Sequence, residues 1–192
     1  MNKYKNLNNK NIVYVALSAD ILHEGHINIL KKAAKLGEVT VGLLTDKAIS
    51  SYKKVPYLNY KQREIVLKNI KFVTKVIPQY TLDYTKNLKN LKPNYVVHGD
   101  DWKIGIQKKI RQQVIKTIKV WGGRLIEPKY TKNFSSSNIK DKILKVGTSP
   151  DNRKLRLKRL VEAKNIVRVM ESHSALTGLI IENLNVIKDN KF

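Results

Sequence analysis

The chain has 192 residues, enough to bury one good core with a short appendage but small for two full domains. It has no cysteine, no apolar run of membrane-spanning length and no apolar leader, which excludes disulfide, thiolate-metal and cysteine-nucleophile chemistry and points to a cytoplasmic protein with no membrane partner. The 38 basic and 15 acidic residues leave a net charge of +23, yet only seven of the basic residues are Arg and the lysines are spread along the chain, so a solvated lysine-rich surface is the first reading, attraction for small anionic substrates the second and a nucleic-acid role the third.

In chain order, "NIVYVALS" (11–18) reads as a short, buried, β-branched strand. "HINILKKAAKLG" (26–37) has helical apolar spacing and reaches Gly37, a helix stop. "EVTVGLLT" (38–45) is a second strand, "YKQREIVLKNI" (60–70) a helix and "FVTKVIP" (72–78) a third strand. "NYVVHG" (94–99) is a fourth strand, residues 104–123 a helix ending in two glycines, and "RLIEP" (124–128) a fifth strand. "NFSSSNIKDKIL" (133–144) reads as a serine-started helix, and "GTSPDN" (147–152) as a linker. A basic helix (153–164), a short strand "IVRVM" (166–170) and one more helical segment close the chain. Strands alternating with helices predict an α/β fold: a Rossmann-like parallel five-stranded sheet with helices on both faces and a short helical tail. Right-handed crossovers then bring the C-terminal ends of all strands to one edge, where ligands bind.

Three stretches fall on that edge. "LSADILHEGH" follows the first strand and places His23 and His26 at a helix N-terminus, beside free N–H groups and the positive end of the helix dipole. The spacing of three puts both imidazoles on one face, and Gly25 removes a side chain where a phosphate would approach backbone. "GDDW" (99–102) follows the fourth strand and "YTKNFSSSNIK" (130–140) the fifth. His98 reads as a strand-end histidine packed on the sheet, and no third ligand at a familiar spacing supports zinc at His23 and His26.

This combination resembles the cytidylyltransferase family of the HxGH nucleotidyltransferase superfamily, over roughly residues 11–145. The resemblance implies transfer of CMP from CTP to a small phosphate-bearing acceptor, with release of pyrophosphate. It makes His23 and His26 the pair that contacts the triphosphate, and Lys54, or its neighbour Lys53, together with Arg63 a cationic clamp. Asp101 and Trp102 match the loop that holds the nucleotide, and Thr131, Ser135, Ser136 and Ser137 the phosphate-side signature. Ser18 takes the place of the family's Thr before the first histidine, and Tyr130 stands where some relatives have Arg; Lys53 and Tyr130 are the acceptor-side candidates. Mg²⁺ is expected, held mostly by triphosphate oxygens and water, with Asp20 or Asp101 as a helper. Relatives of this kind are commonly dimers, so a homodimer is implied.

Residues 1–146 form the cytidylyltransferase unit in this reading, 147–152 the linker and 153–192 a tail. The tail sequence "RLKRLVEAKNIVRVMESHSALTGLIIE" (156–182) is similar to the opening of phosphoenolpyruvate mutase, a (β/α)₈ barrel of which only one βα unit is present. That likeness points to phosphonate synthesis, and so to 2-aminoethylphosphonate or 2-hydroxyethylphosphonate as acceptor. Phosphoethanolamine, phosphocholine and glycerol 3-phosphate remain open as acceptors. An adenylyltransferase of the same fold is a second enzyme reading, and a basic nucleic-acid-binding or purely structural domain the non-enzyme one.

Overall fold

The computed structural model describes residues 11–103, 107–129 and 150–183. Five strands, β1 (Ile12–Leu17), β2 (Glu38–Leu44), β3 (Lys75–Gln79), β4 (Tyr95–Val97) and β5 (Arg124–Ile126), form one all-parallel sheet in the order β3-β2-β1-β4-β5. The order reverses between β1 and β4, which creates a crevice at their C-terminal ends.

Alternate residues of the central strands feed two cores. Val13, Val15 and Leu17 of β1, with Val39, Val41 and Leu43 of β2, pack on one face with Leu30 and Ala33 of α1 (Glu24–Ala34) and Leu67 of α3 (Tyr60–Lys68). Tyr14, Ala16 and Val96 point the other way and meet Leu88 of α4 (Thr85–Leu91) and Val114 and Ile118 of α5 (Gln107–Lys119). Both faces are covered, which is why these strands read as continuous apolar runs rather than alternating ones. The expected sheet is present with its five strands.

Several local expectations change. A short helix, α2 (Asp46–Ser50), follows β2 directly, capped by the Thr45 hydroxyl on the Ala48 N–H. α1 ends at Ala34 with Lys35 as its cap, so Gly37 is not the helix stop. A Cβ at Gly37 would lie 2.1 Å from the Asn11 carbonyl oxygen, so close approach to the chain before β1 is what excludes a larger residue there. Beyond residue 149 the chain forms α6 (Pro150–Ala163) and α7 (Ala175–Asn183), and 166–170 is not a strand: it pairs with no strand of the sheet, and Ile166 and Val169 are 78% and 89% exposed. No helix among the described residues is long and apolar enough to cross a membrane.

At Gly42 in β2, a Cβ would fall 1.9 Å from the Tyr14 hydroxyl. That hydroxyl donates to Gln79 Oε1 at 2.5 Å, and Asn87 Nδ2 donates to the same oxygen at 2.8 Å, so the phenol has little room to retreat. Gly42→Ala is therefore expected to destabilise the fold by about 1–3 kcal/mol, the usual cost of overpacking. A urea midpoint equal to the parent's would contradict this packing.

Candidate active site

The turn from β1 to α1 builds one wall of the crevice. Ala19 sits at φ 49°, a left-handed conformation that costs a residue with a Cβ about 1–2 kcal/mol. Its neighbours are held from outside. The Ser18 carbonyl accepts from Arg63 Nη1 at 2.5 Å, and Asp20 Oδ1 accepts from the Leu58 N–H at 3.0 Å. His23 is then the N-cap of α1: its Nδ1 accepts from the Gly25 N–H at 3.1 Å, and His26 Nδ1 accepts from the His23 N–H at 3.4 Å. With both Nδ1 atoms committed as acceptors, each neutral ring carries its proton on Nε2. The rings lie 4.0 Å apart between centroids.

Burial pushes His26 down to about 4, with His23 and Lys53 adding to the shift, and burial also lowers His23. Both imidazoles are thus neutral N–H donors near pH 7, ready for an anion that supplies the missing negative charge.

The opposite wall comes from the end of β4. His98 stacks on Trp102 with 3.9 Å between centroids and an interplanar angle of 8°. Trp102 lies in the 3₁₀ turn Asp100–Lys103, is only 1% exposed, and its indole N–H donates to Glu127 Oε1 at 2.7 Å. Arg111 grips the same carboxylate through two hydrogen bonds of 2.7 and 2.8 Å, which is the main reason Glu127 is held down to about 2. The indole is consequently a fixed platform under His98.

Between the walls lies a cleft of about 300 Å³. The structure brings Ser18, His23, Gly25, His26, Lys53 and Trp102 to it, six of the residues expected from sequence. Lys54 is placed elsewhere: it lines a groove beneath α6 with Arg156 and Leu160, so of the adjacent lysines it is Lys53 that faces the histidines. Arg63 is also not a substrate clamp in this geometry. It is fully buried and spends its guanidinium on Ser18 O, on Leu58 O at 3.1 Å and on Asp46 Oδ1 at 2.6 Å. Asp20 is 4% exposed, does not line the cleft, and points an oxygen at the Leu58 N–H, which does not suit a metal helper. No group of three His, Asp or Glu among the described residues could hold a metal ion. Tyr130, Thr131, Ser135, Ser136 and Ser137 lie outside the described residues, as does the side chain of Asp101.

His98, Tyr52 and Gln107 also line the cleft and were not expected there. For His98 the available signal was its place at the end of a strand on the switch-point edge, four residues before a tryptophan.

A parallel sheet whose switch-point cleft carries paired histidines at a helix N-terminus is an α/β fold of the HxGH type. The chain belongs to the cytidylyltransferase-like family, whose model matches residues 18–142. It is 34% identical over 91 residues to the glycerol-3-phosphate cytidylyltransferase of Bacillus subtilis, covering 43% of this chain and 66% of that enzyme. It is 31% identical over 101 residues to an FAD synthase of Aciduliprofundum boonei, covering 50% of this chain and 68% of that one. Among solved structures, a lipopolysaccharide core biosynthesis protein from Thermoplasma volcanium matches with a TM-score of 0.54 and 27% identity, over 63% of this chain and 98% of that one. The chain spans 66% of the Bacillus enzyme, just under two thirds, and roughly a third of several longer relatives.

Proposed function

We propose that the protein transfers CMP from CTP to a short acceptor bearing a phosphonate or phosphate. The observation that carries this reading is the trio of His23, His26 and Lys53 converging on one cleft at the N-terminus of α1. An ionised acceptor oxygen attacks the α-phosphorus; the new P–O bond forms as the bond to the bridging oxygen breaks, and pyrophosphate leaves with that electron pair. No strong base is needed, because the nucleophile is already an anion. The protein's task is alignment and neutralisation of the charge that develops around phosphorus, supplied by two Nε2–H donors, an ammonium and the helix end. Mg²⁺ enters as part of the nucleotide substrate.

The finer reading is a phosphonate acceptor, 2-aminoethylphosphonate or 2-hydroxyethylphosphonate, and its support is the mutase-like tail sequence. The name of the Bacillus relative favours a second reading, an O-phosphate such as glycerol 3-phosphate. The FAD synthase relative makes ATP the nucleotide to test against CTP. A dimer in the cytoplasm fits either acceptor.

Thermal shift with MgCTP is expected to stabilise the fold by about 2.7 kcal/mol at a concentration of 100 Kd, with MgATP far less effective. Pyrophosphate release is then measured with CTP over both phosphonates, phosphoethanolamine and glycerol 3-phosphate. A higher kcat/KM for either O-phosphate than for both phosphonates rejects the phosphonate reading; release with ATP alone rejects cytidylyl transfer. In the same assay Lys53→Ala is expected to lower kcat/KM about 10- to 100-fold, as befits a lost charge-assisted contact, and Lys54→Ala less than about threefold. The reverse ranking would move the working lysine to position 54.

A further inference from the structure

The tail helix α6 is tied to the segment that carries Lys53. Arg159 is 15% exposed and reaches back about 100 residues: its Nη1 donates to the Tyr57 carbonyl at 2.5 Å and its Nη2 to Asp46 Oδ2 at 3.3 Å. The other oxygen of Asp46 is the one bound by the buried Arg63, so the carboxylate is shared between the tail and the core. Arg156 lies over the Tyr57 ring at 5.3 Å, and Leu157 and Leu160 line a groove with Lys54 and Val55.

The segment is held at both ends. Tyr52 and Lys53 donate their N–H groups to the Ile49 carbonyl at the end of α2, and Leu58 is fixed through its N–H by Asp20 and through its carbonyl by Arg63. Between these anchors, residues 54–57 have no helix or strand of their own; Val55 is buried, and Arg156, Leu157 and Leu160 of α6 share its groove. The two lysines therefore part at this segment: Lys54, itself exposed, lines the groove with α6, and Lys53 lines the cleft.

We propose that α6 is a strap across residues 51–58 and that Arg159 is a positioning residue that acts through Tyr57 to keep Lys53 in the cleft. The kinetic half of this proposal rests on the transferase reading; the structural half does not. Without the strap, Lys53 and Lys54 compete for the same exit from α2, because nothing in their own chemistry distinguishes them.

Hydrogen–deuterium exchange on the full-length, ligand-free protein tests the strap directly. Arg159→Ala is expected to speed exchange of the Tyr52, Lys53 and Leu58 amides about 10-fold while leaving β1, β2 and α5 unchanged. Unchanged exchange at 51–58 overturns the proposal, and so does acceleration spread over the whole sheet, which would report general destabilisation. Arg159→Lys keeps the charge but has no fork for two acceptors, so it is expected to fall between parent and alanine variant; exchange as fast as the alanine variant's would leave no role for the link to Asp46 and count against the strap.

Kinetics supply the second test. Arg159→Ala is expected to lower kcat/KM about 10-fold in the parent but less than twofold in a Lys53→Ala background, since a positioning residue has nothing left to position there. Equal losses in both backgrounds overturn the action through Lys53. A parent protein with no cytidylyl transfer would sink the transferase reading, while the exchange result would still decide the strap.

Discussion

Replacing His26 with alanine is expected to lower kcat about 100- to 1000-fold, the scale seen when one transition-state donor is removed. The ring is aimed by its own backbone: Nδ1 accepts the His23 N–H, so Nε2–H is the only donor left and it belongs to the cleft. His23→Ala carries two losses at once, the donor and the cap on the Gly25 N–H, so it should reduce kcat similarly and cost about 1 kcal/mol of stability besides. The working donor is a neutral imidazole, and activity should accordingly hold steady from about pH 7 to 8.5. A loss of about tenfold per pH unit across that range would mean that the imidazolium is the active form.

The same burial gives His26 a signature in stability. Its folded-state value of about 4 lies below the ordinary 6.5, so the unfolded chain binds the proton more readily. The stability associated with this group is fully present above about pH 6.5 and is lost as pH falls toward 4, a difference on the order of 3 kcal/mol. His26→Ala should therefore flatten the acid limb of the stability curve between those pH values, measured by urea midpoints. An unchanged limb would place the ring in water rather than in the cleft wall.

The sheet was legible in the sequence because parallel strands covered on both faces are unbroken apolar runs, and the helix N-terminus at His23 because its cap is made within three residues. α2 and α4 were not. α2 is a single turn set by one threonine cap, and α4, "TKNLKNL", offers little apolar periodicity and ends on Lys92 in a left-handed conformation. The two lysines could not be told apart because a loop has no period, and what separates them is a helix a hundred residues away. The same limit governs Arg63. The family resemblance implied a clamp on substrate, but beyond the nearby Leu58 carbonyl its partners are a carbonyl 45 residues back and a carboxylate 17 residues back, neither visible as a local pattern.

That correction leads to an opposite expectation for Arg63→Ala. A clamp facing the cleft would raise KM and leave the fold as stable as before. A guanidinium with no exposed surface should instead leave three acceptors behind, Ser18 O, Leu58 O and Asp46 Oδ1, one of them charged. Two part-buried carbonyls left without this donor at about 1–3 kcal/mol each, with Asp46 keeping only Arg159, make the expected cost about 3–5 kcal/mol, a large share of the stability of an ordinary domain. For a chain of this size that corresponds to a fall in Tm of roughly 6–20 °C. Arg63→Lys keeps a charge near Asp46 but offers no planar fork to reach Ser18 and Leu58 together, so it should recover only part of the loss. Activity should drop as well, through the Ser18 carbonyl: the left-handed Ala19 next to it is strained, and a turn released there would shift His23 away from its cap. The two consequences are separable by assaying both variants well below their Tm, where the loss should appear in kcat rather than as a selective rise in acceptor KM. An Arg63→Ala protein with the parent's Tm and a raised acceptor KM would return Arg63 to the substrate side of the cleft.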